Sequence, residues 1–277
     1  MKPPGAISLA RALSKFNVSS RREAERWIRA GRVRVNGREV LDPARFILPR
    51  RDRVVVDGRS VGDAAARVVI AFHKPTGCVT TRADPGGRPT VYDVLGDVGR
   101  PAPAGSSPVP GWVFPVGRLD RDTSGLLILT SDHRLGQRLT DPEHSVPKTY
   151  HARIRGVPDR EALRALREGV PLAGGVLTRP ARVRVLGIPS GTTTGPSGRV
   201  ARGKAAGLPW LKSQGSTWIE IVLTEGRNRQ VRRMGAAVGH EVLELVRVRI
   251  GRLPLGDLAS GEWRELGPEE VQSLLRV

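Results

Sequence analysis

Apolar positions recur at helical spacing near the start of the chain. Leu9, Ala12, Leu13 and Phe16 form one stripe behind Ser8, which predicts a helix within Ile7–Phe16 capped by that serine. A second stripe, Ala24, Trp27 and Ile28, predicts a helix over Arg21–Ala30. Ser20 followed by Glu23 is a capping box at its start, and Gly31 stops it. The period then changes from helical to alternating. Arg32–Val40 alternates around Asn36-Gly37, the pattern of a tight hairpin, and Arg53–Gly58 reads as a closing strand.

Arg59–Arg67 is polar and Ala-rich without period and reads as a linker. Beyond it strands dominate. Val68–Phe72 is a continuous apolar run followed by a turn at His73–Gly77. Ser124–Thr130 is another buried run, leading into a helix over Asp132–Leu139. Lys148–Ile154 and Trp218–Leu223 alternate as strands, and Leu243–Leu255 supplies more strand material. Helices are expected over Asp159–Glu168, within Gly226–Val238, and over Pro268–Leu275. Gly99–Gly111 and Pro189–Gly215 are rich in Pro, Gly and small polar residues and read as loops, the second of them mobile. The fold class is α+β: a small α-then-β unit over 1–58, a linker at 59–67, and a larger strand-rich domain over 68–277.

Charge narrows the function. The chain has 46 Lys plus Arg against 27 Asp plus Glu, a net charge of +19, and arginine suits bidentate contact with phosphate. Arg21, Arg22, Arg26, Arg29, Arg32 and Arg34 crowd the second helix and the strand after it, a face suited to an RNA backbone. No apolar run approaches the roughly 20 residues of a membrane helix, so no membrane partner is expected. Cys78 is the single cysteine, which removes any intrachain disulfide and points to the cytoplasm.

Several chemical patterns fail on inspection. Gly198–Lys204 has P-loop spacing, but Ala205 stands where a hydroxyl would hold magnesium. Pro147 breaks the turn that a Ser-x-x-Lys nucleophile at Ser145 and Lys148 would need. The five histidines lack ligand spacing, and arginines flank Asp120 and Asp122, so no metal or cofactor site is expected.

One pattern stands. Gly117-Arg118-Leu119-Asp120-Arg121-Asp122-Thr123-Ser124-Gly125-Leu126 resembles the catalytic motif of the pseudouridine synthases that isomerise uridine in ribosomal RNA. Within them it is similar to the branch containing RsuA, RluB, RluE and RluF. His73-Lys74-Pro75-Thr76-Gly77, Lys148-Thr149-Tyr150 and Glu225–Met234 match further motifs of that branch in order. So do Arg247–Gly251 and Gly261–Leu266. Ser20–Glu25 and Gly31–Gly37 resemble an S4-type RNA-binding domain. The resemblance implies a catalytic domain with a mixed, largely antiparallel sheet around an RNA cleft. It implies Asp120 as the carboxylate at C1′, Arg232 as its guanidinium partner, and Tyr150 as the aromatic that holds the detached uracil.

Uridine isomerisation breaks the C1′–N1 bond, turns the base and joins C1′ to C5, so no cofactor is consumed. A carboxylate beside C1′ either attacks it or removes a sugar proton. The target uridine must be flipped out of its helix. Arg118 is expected to fill the vacated space or grip a phosphate. Lys74 and Lys148 are expected to make structural or RNA-backbone contacts, and Arg227, Arg229 and Gln230 to contact RNA. Asp120 falls at the motif's fixed carboxylate and Asp122 at a variable position, so Asp122 is expected to be dispensable. The expected partner is ribosomal RNA or a ribosome-assembly intermediate, bound by a monomer. Similarity to the RluB-like members favours 23S over 16S RNA. The alternative is a non-catalytic S4-type RNA-binding or ribosome-assembly factor.

Overall fold

The structure is a computed structural model that describes residues 3–16, 18–49, 51–61, 67–96, 113–187 and 215–275. The expected loop Gly99–Gly111 lies outside the described residues, as does Pro189–Gly215 except for Gly215 itself. The chain divides into two compact units, one of Met1–Val69 with Leu95–Phe114 and Leu129–Leu135, the other of Ile70–Val94, Pro115–Ile128 and Gly136–Val277.

The N-terminal unit follows the local pattern. A short strand β1 (Ile7–Ser8) leads into α1 (Leu9–Lys15) and then α2 (Arg21–Arg29). Ser8 holds the cap position of α1, but its side chain makes no capping hydrogen bond, because the residue is paired in β1 instead. Ser20 does cap α2, accepting from the Glu23 amide at 3.2 Å. The strands β2 (Val33–Val35) and β3 (Arg38–Glu39) flank the hairpin turn. Asn36 and Gly37 have φ of 52° and 81°, the left-handed pair that such a two-residue turn demands. The next strands are β4 (Phe46–Ile47), paired with β1, then β5 (Val54–Val56) and β6 (Arg59–Val61). Leu9, Leu13, Ala24, Ile28, Val33 and Val54 are fully buried together. Each of the larger of these side chains contributes about 2 kcal/mol by leaving water.

The linker expectation is corrected at its start. Asp57 and Gly58, at φ of 48° and 80°, turn the chain so that Arg59–Val61 pairs antiparallel with Val54–Val56. Asp-Gly is a hairpin signal as strong as Asn-Gly. These residues therefore belong to the four-stranded sheet β3-β2-β5-β6, and residues 62–66 lie outside the described residues.

The larger unit is organised on one sheet. In chain order its elements are β7 (Val69–Lys74), α3 (Val91–Leu95), β8 (Phe114–Pro115), β9 (Ser124–Thr130), α4 (His133–Thr140) and β10 (Lys148–Arg155). There follow α5 (Arg160–Glu168), β11 (Pro171–Leu172), β12 (Val176–Leu177), β13 (Arg182–Gly187), β14 (Ser216–Leu223) and α6 (Gln230–Ala237). The last are β15 (Val242–Ile250), β16 (Leu253–Pro254), β17 (Trp263–Glu265) and α7 (Pro268–Leu275). The sheet order is β13-β14-β10-β15-β9-β7-β17, with β16 on β15 and β8 on β9. The pairs β13/β14, β14/β10, β10/β15 and β7/β17 are antiparallel, and β15/β9 is parallel. The sheet is mixed and largely antiparallel, as the resemblance implies.

Burial explains the two strand types. All seven residues of β9 are buried, so it reads as a continuous apolar run. β14 has one face on the core and alternates; Ile219, Ile221 and Leu223 point inward against Ala152, Ile154, Leu166 and Met234. The strand β7 extends through His73 and Lys74, which sequence places in the following turn.

Candidate active site

The strand β9 is preceded by a loop, Gly117–Thr123, that carries Asp120. The last residue of β7 holds that loop. Lys74 is fully buried, and its Nζ donates to the carbonyls of Pro75, Asp120 and Thr123 at 2.9, 3.0 and 2.9 Å. An ammonium has three protons, so its donor capacity is filled. Burial pushes its pKa down, a shift that the nearby Asp120 and Asp122 carboxylates oppose. Thr80 Oγ1 adds a bond to the Leu119 carbonyl at 2.7 Å, and the Gly77 amide donates to the Arg121 carbonyl at 2.8 Å. Of the two roles expected of Lys74, contact with RNA is corrected and the structural one remains: it is a buried tether for the loop that carries Asp120. The Asp120 side chain, 33% exposed, stands at the mouth of this pinned backbone.

The second element is the start of α6. Glu225 is buried and accepts from the Arg179 amide, Gln230 Nε2 and Arg227 Nε at 2.9, 2.6 and 3.0 Å. Burial pushes its pKa up, and these bonds outweigh that and leave it below the usual carboxylate range. Gln230 also accepts from the Arg227 amide at 2.9 Å and is 4% exposed. Gln230 is thus corrected from RNA contact to part of the turn. That turn places Arg229 in the left-handed region at φ 48°, a conformation that a non-glycine residue holds at a cost of about 1 kcal/mol or more.

From this strained position the Arg229 guanidinium reaches the loop that carries Asp120. It donates to both oxygens of Asp122 at 3.1 and 2.9 Å, and its Nη1 lies 3.9 Å from Asp120 Oδ2. Arg232, 14% exposed, donates to the carbonyls of Val242 and Asp122 at 2.7 and 2.9 Å, and its Nε lies 3.1 Å from Asp122 Oδ2. The expected Arg232–Asp120 pairing is corrected here. Two main-chain carbonyls fix the Arg232 fork against Asp122, and Arg229 is the guanidinium beside Asp120. Asp122 is more than a variable turn residue. Burial pushes its pKa up, but the Arg229 bonds and the charges of Arg232 and Arg229 outweigh that and hold it below the usual range.

The third element is the β10/β15 ladder. Tyr150 is half-buried against the core and lies between Ile221 on one side and Arg247 on the other. A bulge interrupts the ladder between Thr149 and Tyr150. Arg247 is 4% exposed; its Nε donates to the Leu126 carbonyl at 2.7 Å, and its Nη2 is buried without a partner. Sequence reading missed it as a site residue, although a charge at an inward position of a strand is a signal. Lys148 is half-buried on the same ladder, with its pKa lowered to about 8 by burial and by the Arg247 charge. The backbone of Arg247 passes directly over Gly125: a Cβ there would lie 2.3 Å from the Arg247 carbonyl oxygen.

The remaining basic residues divide by partner. Arg118 is exposed, and Arg227 pairs with Glu225. In the N-terminal unit Arg21 and Arg29 lie 3.7 and 3.8 Å from Glu25. Arg32 pairs with Asp57 and stacks over Trp27. Arg22, Arg26 and Arg34 are exposed and carry no ion pair among the described residues. Among the described residues no three His, Cys, Asp or Glu side chains assemble as a metal site, and no helix is long and apolar enough to cross a membrane.

Residues 9–49 match the S4 domain and residues 68–237 match the RNA pseudouridylate synthase family. The chain is 34% identical to "Ribosomal large subunit pseudouridine synthase B" of Bacillus subtilis over 96% of this chain and 94% of that one. It is 39% identical to "Ribosomal large subunit pseudouridine synthase E" of Vibrio parahaemolyticus over 74% of this chain and 76% of that one. A solved pseudouridylate synthase superposes with a TM-score of 0.61 at 27% identity, covering 97% of this chain and 99% of the other. With an S4 domain ahead of this sheet, and a carboxylate presented on a pinned loop at its centre, the chain belongs to the RNA pseudouridylate synthase family.

Proposed function

We propose that this protein converts a uridine of large-subunit ribosomal RNA to pseudouridine, with Asp120 as the carboxylate at C1′. The observation that carries the reading is the Asp120 side chain itself, accessible on a loop whose backbone Lys74 holds from below. A reaction that breaks C1′–N1 needs a negative charge fixed beside C1′ and little else at the sugar. Tyr150 stacks the freed base, and Arg229 and Arg232 hold the loop that carries Asp120. Arg118 and Arg227 contact the RNA near the flipped uridine. The ribosomal target rests on the two relatives named for the large subunit. The working unit is a cytoplasmic monomer acting on ribosomal RNA or an assembly intermediate, with residues 1–61 as the RNA-gripping unit and 68–277 as the catalytic one. A pure binding factor has no use for an accessible carboxylate facing phosphates, which weakens its grip.

Large-subunit RNA labelled with tritium at uridine C5 tests this, since isomerisation releases the label to water. Release from large-subunit and not small-subunit RNA is expected. No release from either, including from assembly intermediates, overturns the reading in favour of a binding factor.

The division of labour gives a separate expectation. Of the six clustered arginines, Arg22, Arg26 and Arg34 have no acidic partner among the described residues, so replacing all three with Ala removes charge free to meet phosphate. Affinity is expected to fall about 10- to 100-fold, and the slope of log K against log salt to shrink by about 2, near 0.7 per contact. The rate at saturating enzyme should stay within about two-fold. A lost rate at saturation with unchanged affinity would contradict this assignment.

A further inference from the structure

Breaking C1′–N1 leaves its electron pair on the base. Whether Asp120 forms a bond to C1′ or takes a sugar proton, the freed uracil is an anion, its charge spread over N1 and the ring carbonyl oxygens. That charge persists until C5 joins C1′, when the electron pair becomes the new C–C bond; the C5 proton then leaves and N1 takes one up. Asp120 is neutralised by its bond to C1′ or by the sugar proton, so it offers the freed base no positive charge. Tyr150 offers a ring face and one hydroxyl, not a positive charge.

The ladder beside Tyr150 holds two cations without an anion. Tyr150 and Arg247 stand opposite each other on neighbouring strands, so their side chains share a face. Lys148 precedes Tyr150 by two residues and registers with Leu223 as Tyr150 registers with Ile221, which puts it on that face as well. The bulge between Thr149 and Tyr150 opens the ladder beside Arg247. Arg247 is tethered at Nε by the Leu126 carbonyl, which leaves the buried Nη2 with no partner. The Lys148 ammonium is half-buried and makes no hydrogen bond or ion pair among the described residues. Placing two cations together at this depth is unfavourable unless an anion joins them.

We propose that Lys148 and Arg247 together receive the uracil anion, donating to its ring carbonyl oxygen as the C1′–N1 bond breaks. Their burial strengthens that interaction, and their fixed positions spare reorganisation during the reaction. Lys148 is therefore a catalytic residue and no longer a phosphate contact. The inference rests on the isomerase reading above.

The two are separated by the order of the experiment. Single-turnover release of tritium from saturated RNA is measured first on the unaltered chain, from pH 6.5 to 9.5. The Lys148 pKa is lowered to about 8, so the ammonium is present below that and lost above it. The rate is expected to fall as pH passes about 8. No release from the unaltered chain at any pH overturns the isomerase reading and this inference with it. Lys148→Met is then expected to lose about 100-fold or more in rate at saturation, with RNA affinity within about three-fold. Lys148→Arg keeps a charge at every pH used, so it should recover most of the rate and show no fall near pH 8. Arg247→Lys, which keeps the charge, should be intermediate. A Lys148→Met chain that binds weakly but turns over normally when saturated would make Lys148 a phosphate contact and overturn the inference. So would a Lys148→Arg chain with the original fall near pH 8.

Discussion

Asp120→Asn is expected to bind its RNA at least as tightly as the unaltered chain and to form no measurable pseudouridine, a loss of about 10⁴-fold or more. The amide keeps the size of the carboxylate, and the loop keeps its anchor because Lys74 holds the main-chain carbonyl and not the side chain. The negative charge at C1′ is what disappears, and one repulsion toward phosphate disappears with it. Asp122→Asn is the control of equal charge. The sequence expectation was that it keeps most activity, but the structure gives Asp122 two arginines. Its side chain is 44% exposed, so the lost pairing costs about 1 kcal/mol of stability, and turnover falls several-fold as Arg229 loses its seat. Tritium release at saturation, together with filter binding, measures both. An Asp120→Asn chain that turns over, or an Asp122→Asn chain as inactive as Asp120→Asn, would move the catalytic role off Asp120.

Gly125→Ala is expected to be the most damaging single methyl in the larger unit. Gly125 sits at φ +108°, and an added Cβ would lie 2.3 Å from the Arg247 carbonyl oxygen and 2.5 Å from its amide nitrogen. Both are backbone atoms in the parallel β9/β15 register, so the strands must part. A cost of at least about 3 kcal/mol follows from combined clash and strain, roughly a 10 °C fall in Tm for a domain of this size. Gly77→Ala separates the two causes. Gly77 has φ +91° but nothing within 4 Å of its Cβ position, so only the conformational cost of about 1 kcal/mol applies. Thermal melts of the two variants decide it. Equal losses would show that strand contact at Gly125 is not the cause.

Local rules made the N-terminal unit legible. Ser20, Gly31 and Asn36-Gly37 act within a few residues of themselves, and each did what its chemistry predicts. Asp57-Gly58 carried the same hairpin signal, but the polar residues after it hid β6. The larger sheet was legible as strands and not as a topology. Nothing near Ser124 announces that Val246 will lie beside it, because parallel pairing leaves no local turn to read. The site divides the same way. Asp120 and Tyr150 stand in motifs that can be read in order along the chain. The exchange by which Arg229, not Arg232, stands beside Asp120 depends on where main-chain carbonyls fall in three dimensions. Lys74 and Arg247 look like two more basic residues among 46 until burial singles them out.

The pairing of β17 with β7 also sets an order in time. Phe72 finds its partner in Trp263, so one edge of β7 stays open while almost all of the larger unit is synthesised. At about 5–20 residues per second that interval is on the order of ten to forty seconds. The helices α1 and α2 and the β3-β2-β5-β6 sheet wait for no such partner, since they close on neighbours in sequence. During synthesis the chain therefore acquires its basic N-terminal S4 domain well before its larger sheet is complete. Stalled nascent chains should register this as RNA binding that precedes protease resistance of the second unit. A growing chain of this kind can hold ribosomal RNA before it has any means of altering it.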